Sequence, residues 1–243
     1  MNFYKYLLLL IISTNINATT WGEVQVNDPL YPNKRCSVQM PASYGSYIYQ
    51  APSKYDLVFW PKTSANGIWF CKASGFTAFG GDFKSLTKKE KKVIKKYLKS
   101  HIPKNNDIKT KLKLLESLYA LRNKDNRFNN SLLRVLAYWY ESLHQYKKAN
   151  KYRQLALTDM EKQLTHKLDE EQELEYLYLL TNYSKQLGKN KKSNKYLKRL
   201  KKRLKHLKND NSKGFKDYIT EFISDSKYIK KGGKLAPKLL KHK

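Results

Sequence analysis

The sequence contains few cysteines, prolines, glycines and acidic residues. Of its 243 residues, 2 are cysteine, 7 are proline and 10 are glycine, so a long flexible linker is not expected. Acidic residues number 20 against 49 basic ones, which leaves a net charge of +29. Hydrophobic residues make up 40% of the chain and aromatic residues 13%. This content excludes an intrinsically disordered basic protein and predicts a folded chain of one or two domains.

The chain also lacks an apolar run that is long enough to span a bilayer. The most apolar stretch, Tyr6–Ile12, has seven residues, well short of the roughly 20 that a transmembrane helix needs. It follows a short segment with one lysine and precedes a polar stretch that ends at Ala18. This pattern predicts a signal peptide over residues 1–18 and a periplasmic or secreted protein with no transmembrane segment after cleavage. An uncleaved membrane anchor is the alternative.

Cys36 and Cys71 are the two cysteines, and both follow the predicted cleavage site. In an oxidising compartment, a pair with no third thiol to compete predicts a disulfide. Two buried free thiols are the alternative. A metal site is not expected, because none of the five histidines lies near either cysteine in sequence and tetrahedral zinc takes four ligands. We expect no metal and no cofactor.

Charge and residue pattern divide the chain near residue 83. Residues 19–83 carry five basic and four acidic residues, a net charge of +1, whereas the region after Phe83 has a net charge of +27. Before residue 83, short apolar runs such as Tyr55–Trp60 and Gly67–Cys71 are bounded by Pro, Asn or Gly, which predicts strands. After it, apolar residues recur at helical spacing.

The first helices of the second region have recognisable ends. Thr87 and Glu90 have the spacing of a capping box, and Pro103 is expected to end the helix that follows. A second helix is predicted from about Asp107 to Arg122, and the polar segment Asn123–Asn130 is predicted to be a break.

Residues 133–157 follow the spacing of a tetratricopeptide repeat, a helix–turn–helix unit of about 34 residues. In such a unit small residues let the two helices approach, and large ones fill the groove between them. His144 stands in the place of the turn glycine, and a weaker second unit over residues 177–200 has Gly188 there. An ordinary antiparallel helical hairpin is the alternative. The matching positions of the first unit are Leu133, Leu136, Ala137, Tyr140, Tyr146, Ala149, Ala156 and Leu157.

The residues around the cysteines, taken with the helices, resemble a known family. The matching segments are Cys36–Gln39, Trp69–Phe76, Ala78–Phe79, Asp82–Phe83, Leu86–Lys91 and Leu132–Trp139. Over residues 28–205 the chain resembles the bacterial domain-of-unknown-function family number 2225. The resemblance implies a bacterial source and a zinc-ribbon-like N-terminal module, held by two Cys-x-x-Cys pairs and followed by tetratricopeptide-like helices.

This chain departs from that family at the second cysteine of each pair. Gln39 and Ser74 stand there, so half of the zinc ligands are absent. The two retained cysteines would face each other across the ancestral metal. The hypothesis that follows is an exported member in which a disulfide clip between Cys36 and Cys71 replaces a metal clip.

The densest basic segment is Lys189–Lys208. Leu197, Leu200, Leu204 and Leu207 form one apolar stripe, and basic residues surround it. Such a helix can lie against anionic polysaccharide, lipid headgroups or nucleic acid without sequence preference. A solvated face is the alternative, favoured by the 42 lysines against seven arginines. Sequence-specific DNA binding is not expected. The candidate polyanion-binding residues are Lys198, Arg199, Lys201, Lys202, Arg203 and Lys205.

These patterns predict an α+β, mostly α, fold. Its parts are the signal peptide (1–18), a β-rich, disulfide-clipped module of degenerate zinc-ribbon type (19–83), antiparallel tetratricopeptide-like hairpins (84–208), and a C-terminal helix with a basic tail (209–243).

The predicted function is that of a non-enzymatic interaction protein, which has no catalytic residues. Its partner would be a protein or peptide in the repeat groove, or an anionic surface. The alternative is a hydrolase of cell-envelope or nucleic-acid polyanions. Its catalytic set would combine His144 or His166 with Glu141 or Glu161, and one histidine within hydrogen-bond reach of a carboxylate in a cleft would favour it.

Overall fold

The computed structural model describes residues 20–84, 86–101, 103, 105–207, 213–232 and 235. The predicted signal peptide and most of the predicted basic tail lie outside these residues. Among the helices that are described, none has both the length and the apolar content needed to cross a membrane.

The N-terminal module consists of two small antiparallel sheets joined by 3-10 turns. Strand β1 (Thr20–Asn27) pairs with β2 (Arg35–Ser43), with Val26 opposite Cys36. Strand β3 (Ile68–Phe70) pairs with β4 (Thr77–Phe79), which confirms the strand predicted within Gly67–Cys71. The 3-10 turns lie at Ser46–Gln50, Pro52–Tyr55, Ala65–Gly67 and Gly80–Asp82.

The strand predicted over Tyr55–Trp60 is wrong. Tyr55 ends a 3-10 helix, and Leu57 has a left-handed backbone with φ 48°. The carbonyl oxygens of Tyr55, Asp56 and Leu57 accept hydrogen bonds from side chains of the helical region. These side chains supply the hydrogen bonds that a neighbouring strand would otherwise give to the carbonyl groups of the segment.

Seven helices are described after residue 83, and they confirm the mostly α architecture. The capping box of Thr87 and Glu90 starts the first helix, and the side chains of Asp107, Asp125 and Asp169 cap the second, third and fifth. Because Asp125 already caps the third helix, the predicted break Asn123–Asn130 is too long. The helices are α1 (Lys88–Ser100), α2 (Ile108–Ala120), α3 (Asn126–Ser142), α4 (Tyr146–Gln163), α5 (Glu170–Gln186), α6 (Asn190–Lys205) and α7 (Lys213–Asp225).

Helices α3 and α4 form one antiparallel hairpin, and α5 and α6 form a second, which confirms the helical repeat. Both turns use a left-handed residue, His144 with φ 58° and Gly188 with φ 76°. Each is followed by the same bond back to the first helix, from Gln145 N to Tyr140 O and from Lys189 N to Ser184 O, each 2.7 Å. The two hairpins therefore turn in the same way although only one has glycine there.

The apolar core forms two clusters, and both receive side chains from the N-terminal module. The first joins the sheet residues Val26, Cys36 and Ala78 to helices α1–α4. The second joins Tyr55, which is 1% exposed, to α4–α7. Tyr55 thus lies in the core of the helical region.

Next to Tyr55, the carboxylate of Asp56 is buried among the helices. It accepts two hydrogen bonds of 3.3 Å from Arg153 on α4 and one of 2.7 Å from the Tyr183 hydroxyl on α5. Arg153 is fully buried and also pairs with Glu141 at 2.8 Å. Burial lowers the pKa of Arg153, but the charges of Asp56 and Glu141 outweigh burial and raise it. Arg153 therefore stays charged inside the fold.

Two more helical side chains hold the backbone of this segment. Arg134 on α3 donates 3.2 Å hydrogen bonds to the carbonyl oxygens of Asp56 and Leu57, and its other nitrogen pairs with Glu175 at 2.7 Å. Asn182 on α5 donates to the Tyr55 carbonyl oxygen at 3.3 Å. Residues 53–58 are thus held across α3, α4 and α5.

Replacing Asp56 by asparagine is expected to lower the free energy of unfolding by about 3 kcal/mol, because Arg153 loses a buried carboxylate partner. Urea denaturation followed by circular dichroism measures this change. The matched control is D217N on α7, where Asp217 is exposed, with an expected change within about 0.5 kcal/mol. Equal effects of D56N and D217N would contradict the structural role of Asp56.

Substitutions at the two left-handed turn residues are expected to change the free energy of unfolding in opposite directions. Gly188→Ala should destabilise the chain by about 1 kcal/mol, because alanine is strained at positive φ. His144→Gly should relieve that strain and raise the free energy of unfolding by up to about 1 kcal/mol. Thermal unfolding of the two variants checks both signs, and a stabilised G188A would contradict the left-handed turn.

Candidate polyanion-binding surface

Helix α6 is amphipathic, and its apolar side is used inside the protein. Leu200 and Leu204 are 0% and 6% exposed and belong to the second core cluster. Leu197 and Leu207 are half-buried at the edge of the same stripe. The predicted leucine stripe is thus buried at Leu200 and Leu204, and Leu207 lies beyond the end of α6. The two buried leucines fix which side of α6 faces outward.

The six predicted polyanion-binding residues divide into two sets by their contacts. Arg199 and Arg203 face α5, where each donates a 2.8 Å bond to the carboxylate of Glu173. Arg203 also lies 3.9 Å from Glu170. These two arginines therefore pair with two of the three glutamates in the first turn of α5.

The other four residues, which we call the lysine face, are Lys198, Lys201, Lys202 and Lys205. They recur at steps of three and four, so they lie on one side of the helix, and all four are exposed. None of them forms a salt bridge with any residue that the structure describes. Like charges at this spacing repel one another, and a bound anion would relieve that repulsion.

A shallow groove of about 520 Å³ runs along this side of α6. The lysine face lines it together with Asn194 and Leu197. An adjoining cleft of about 560 Å³ lies between α5, α6 and α7 and adds Lys185 and Lys227. Among the described residues, no carboxylate lines either space. Burial lowers the pKa of Lys185, whose ammonium donates to the carbonyl oxygens of Ser226 and Lys227.

The two cysteines lie at disulfide distance inside the N-terminal module. Their Sγ atoms are 1.99 Å apart, and both residues are buried. Asp28 lies beside them, with Oδ2 at 3.4 Å from Cys71 Sγ. Its other oxygen accepts hydrogen bonds from the backbone of Leu30 and Tyr31. Among the described residues, Asp28, Cys36 and Cys71 are the one group placed closely enough to hold a metal ion, but bonded sulfurs offer no thiolate ligands.

The two residues that replace the absent cysteines have other contacts. The carbonyl oxygen of Gln39 accepts a 2.7 Å hydrogen bond from the Trp69 indole. The hydroxyl of Ser74 accepts one of 3.2 Å from the backbone of Phe76. Both residues help to shape the module.

In the predicted hydrolase alternative, the carboxylate groups and the His144 ring contact other residues. Glu141 lines a cavity of about 250 Å³ together with His144, but it binds Arg153, while His144 Nδ1 lies 3.0 Å from the Tyr146 hydroxyl. Glu161 binds Lys192 and the Tyr196 hydroxyl, and His166 is exposed. No hydrogen bond between a histidine and a carboxylate is found among the described residues. The geometry that would favour a hydrolase is therefore not observed in this part of the chain.

A scan against protein-family models found no match, and searches among curated proteins and solved structures found no significant similarity. The resemblance to family number 2225 stays a prediction.

The sequence indicated the basic helix but not the division of its charges. The pairing of the arginines could have been predicted from a helical projection of α5 beside an antiparallel α6. In that arrangement Glu170 and Glu173, at the start of α5, lie next to the end of α6. The positions of Lys185 and Lys227 could not be predicted, since they depend on how α7 packs against α5.

Replacing both cysteines by alanine should lower the free energy of unfolding by about 3–4 kcal/mol, if loop closure in the unfolded chain sets the effect. Urea denaturation of C36A/C71A under oxidising conditions measures it. A thiol count on the denatured, non-reduced chain should find no free thiol. Two free thiols, or stoichiometric zinc in the purified protein, would contradict the disulfide clip.

Proposed function

We propose that the chain is an exported, non-enzymatic interaction protein that binds a linear anionic polymer along the lysine face of α6. The observation that carries this proposal is the division of charge on α6. Two arginines are paired with acidic residues of α5, whereas four lysines on the outer side line an open groove without a described carboxylate.

The shape of the lysine face favours an extended ligand. Lys198 and Lys205 are two turns apart, so the row is about 10 Å long. Ammonium groups attract anions as point charges and do not impose the planar, bidentate geometry of guanidinium groups. A polymer with regularly repeated charges, such as an acidic polysaccharide, fits such a row, and no sequence-specific reading of nucleic acid follows from it.

The packing of α6 argues for a polymer over a membrane surface. A helix that binds in the plane of a bilayer inserts its apolar side among the lipids. In this protein Leu200 and Leu204 are buried in the core, so that side is not available. An anionic membrane could hold the lysine face by charge alone, which makes such binding weak.

A peptide in the repeat groove, the other predicted partner, has less support. Residues 53–58 of the chain itself occupy the surface formed by Arg134, Arg153 and Asn182. A protein partner would fit the lysine face better, provided that its own surface is acidic.

Export is supported by one feature besides the N-terminal pattern. Cys36 and Cys71 lie at disulfide distance, and disulfides persist outside the cytoplasm. The same feature agrees with a periplasmic or secreted protein, and the resemblance implies a bacterial source.

The test is heparin binding of a variant with glutamine at all four positions of the lysine face, K198Q/K201Q/K202Q/K205Q. We expect its affinity at low salt to fall at least about tenfold and the slope of log affinity against log salt to decrease by about three. Titrations at several salt concentrations, followed by fluorescence, measure both. Anionic vesicles, run in parallel, are expected to bind the parent chain more weakly than heparin does.

The matched control removes the same charge from α1 and α2. Lys88, Lys92, Lys96 and Lys109 are exposed there, so K88Q/K92Q/K96Q/K109Q changes net charge equally. Its heparin affinity should stay close to that of the parent chain. An equal loss in both variants would show that only net charge matters, and binding that persists unchanged at high salt would refute the electrostatic role of the lysines.

A further inference from the structure

A second cationic site lies between the N-terminal module and α1. Here a groove of about 220 Å³, which we call the knuckle groove, separates the turn Lys72–Gly75 from α1. Four lysines from three separate segments line it. They are Lys34 between β1 and β2, Lys72 in the turn, and Lys95 and Lys99 on α1.

The lysines of the knuckle groove have no carboxylate partners among the described residues. Asp28, a buried carboxylate of the module, accepts bonds from the backbone of Leu30 and Tyr31 and does not line the groove. Four lysines lining one small groove raise the local positive potential. That potential concentrates small anions at the groove.

The ring of Tyr31 holds two of the four charges in place. The ammonium of Lys95 lies 4.5 Å from the ring centroid and that of Lys34 lies 5.1 Å from it. Cation–π contacts of this kind position a charge without neutralising it. Two lysines that are distant in sequence are thus kept beside the groove with their positive charge intact.

The turn that carries Lys72 is also fixed. Gly75 donates a 2.7 Å hydrogen bond to the carbonyl oxygen of Cys71, and its φ of 77° is one that glycine tolerates. A Cβ at Gly75 would lie 2.9 Å from Pro103. Ser74 lines the same groove. Its hydroxyl accepts a hydrogen bond from the backbone of Phe76, and its own proton stays available to a ligand.

We infer that the knuckle groove binds a single tetrahedral oxyanion, the phosphate or sulfate group of a small ligand or of a polymer end. Several ammonium groups, one hydroxyl donor and a small volume suit one compact, doubly charged group. A long polymer does not fit so small a space. This site does not depend on the lysine face, since it is built by other residues.

The experiment is a nuclear magnetic resonance titration of the full chain at constant ionic strength with inorganic phosphate, sulfate and chloride. The probes are the backbone amides of Lys72–Gly75. Saturable shifts with phosphate or sulfate, but not with chloride, are expected. Saturation by phosphate alone identifies a phosphoryl ligand, and saturation by both anions identifies the shared chemistry.

Two variants locate the site. Lys72 and Lys99 are exposed, so K72Q/K99Q should fold normally and bind the anion at least about tenfold more weakly. The control K92Q/K96Q removes two exposed lysines from α1 that do not line the groove and should bind like the parent chain. Shifts that never saturate, or equal affinities for the two variants, would overturn the proposal. The heparin affinity of K72Q/K99Q reports on the lysine face separately.

Discussion

The buried ion pair of Asp56 and Arg153 joins the two regions that charge and pattern separate. A carboxylate from the N-terminal module accepts bonds from a fully buried guanidinium on α4 and from the Tyr183 hydroxyl on α5. Taking such a pair out of water costs free energy, which only good geometry and additional partners offset. Glu141 and the surrounding hydrogen bonds supply those partners. The module and the first three helices of the two hairpins are thereby held in one arrangement.

This arrangement decides which surfaces are left for a ligand. Residues 53–58 cover the side of the hairpins where Arg134, Arg153 and Asn182 meet. Arg199 and Arg203 form ion pairs with Glu173 at the start of α5. The outer side of α6 keeps its lysines unpaired among the described residues, and the leucines that would let it enter a membrane are buried. On α6, the positive charge that is left for an anion is thus confined to the lysine face.

Local signals predicted much of this fold. Helical spacing, the Thr87 capping box and the turn positions His144 and Gly188 depend on residues that are near one another in sequence. The disulfide could be predicted because the chain has only two cysteines. The strand predicted at Tyr55–Trp60 was wrong because Asn182 and Arg134, far away in sequence, bond its carbonyl groups. For the same reason the knuckle groove could not be predicted, since Lys34, Lys72, Lys95 and Lys99 meet only after folding.

Binding along the lysine face requires that the polymer contacts the four lysines on the outer side of α6 and does not contact the exposed lysines of α1 and α2. The most direct measurement is lysine acetylation in the presence and absence of heparin, read site by site by mass spectrometry. We expect strong protection of Lys198, Lys201, Lys202 and Lys205 and little protection of Lys88, Lys92 and Lys109. Uniform protection of all exposed lysines would contradict binding along the lysine face.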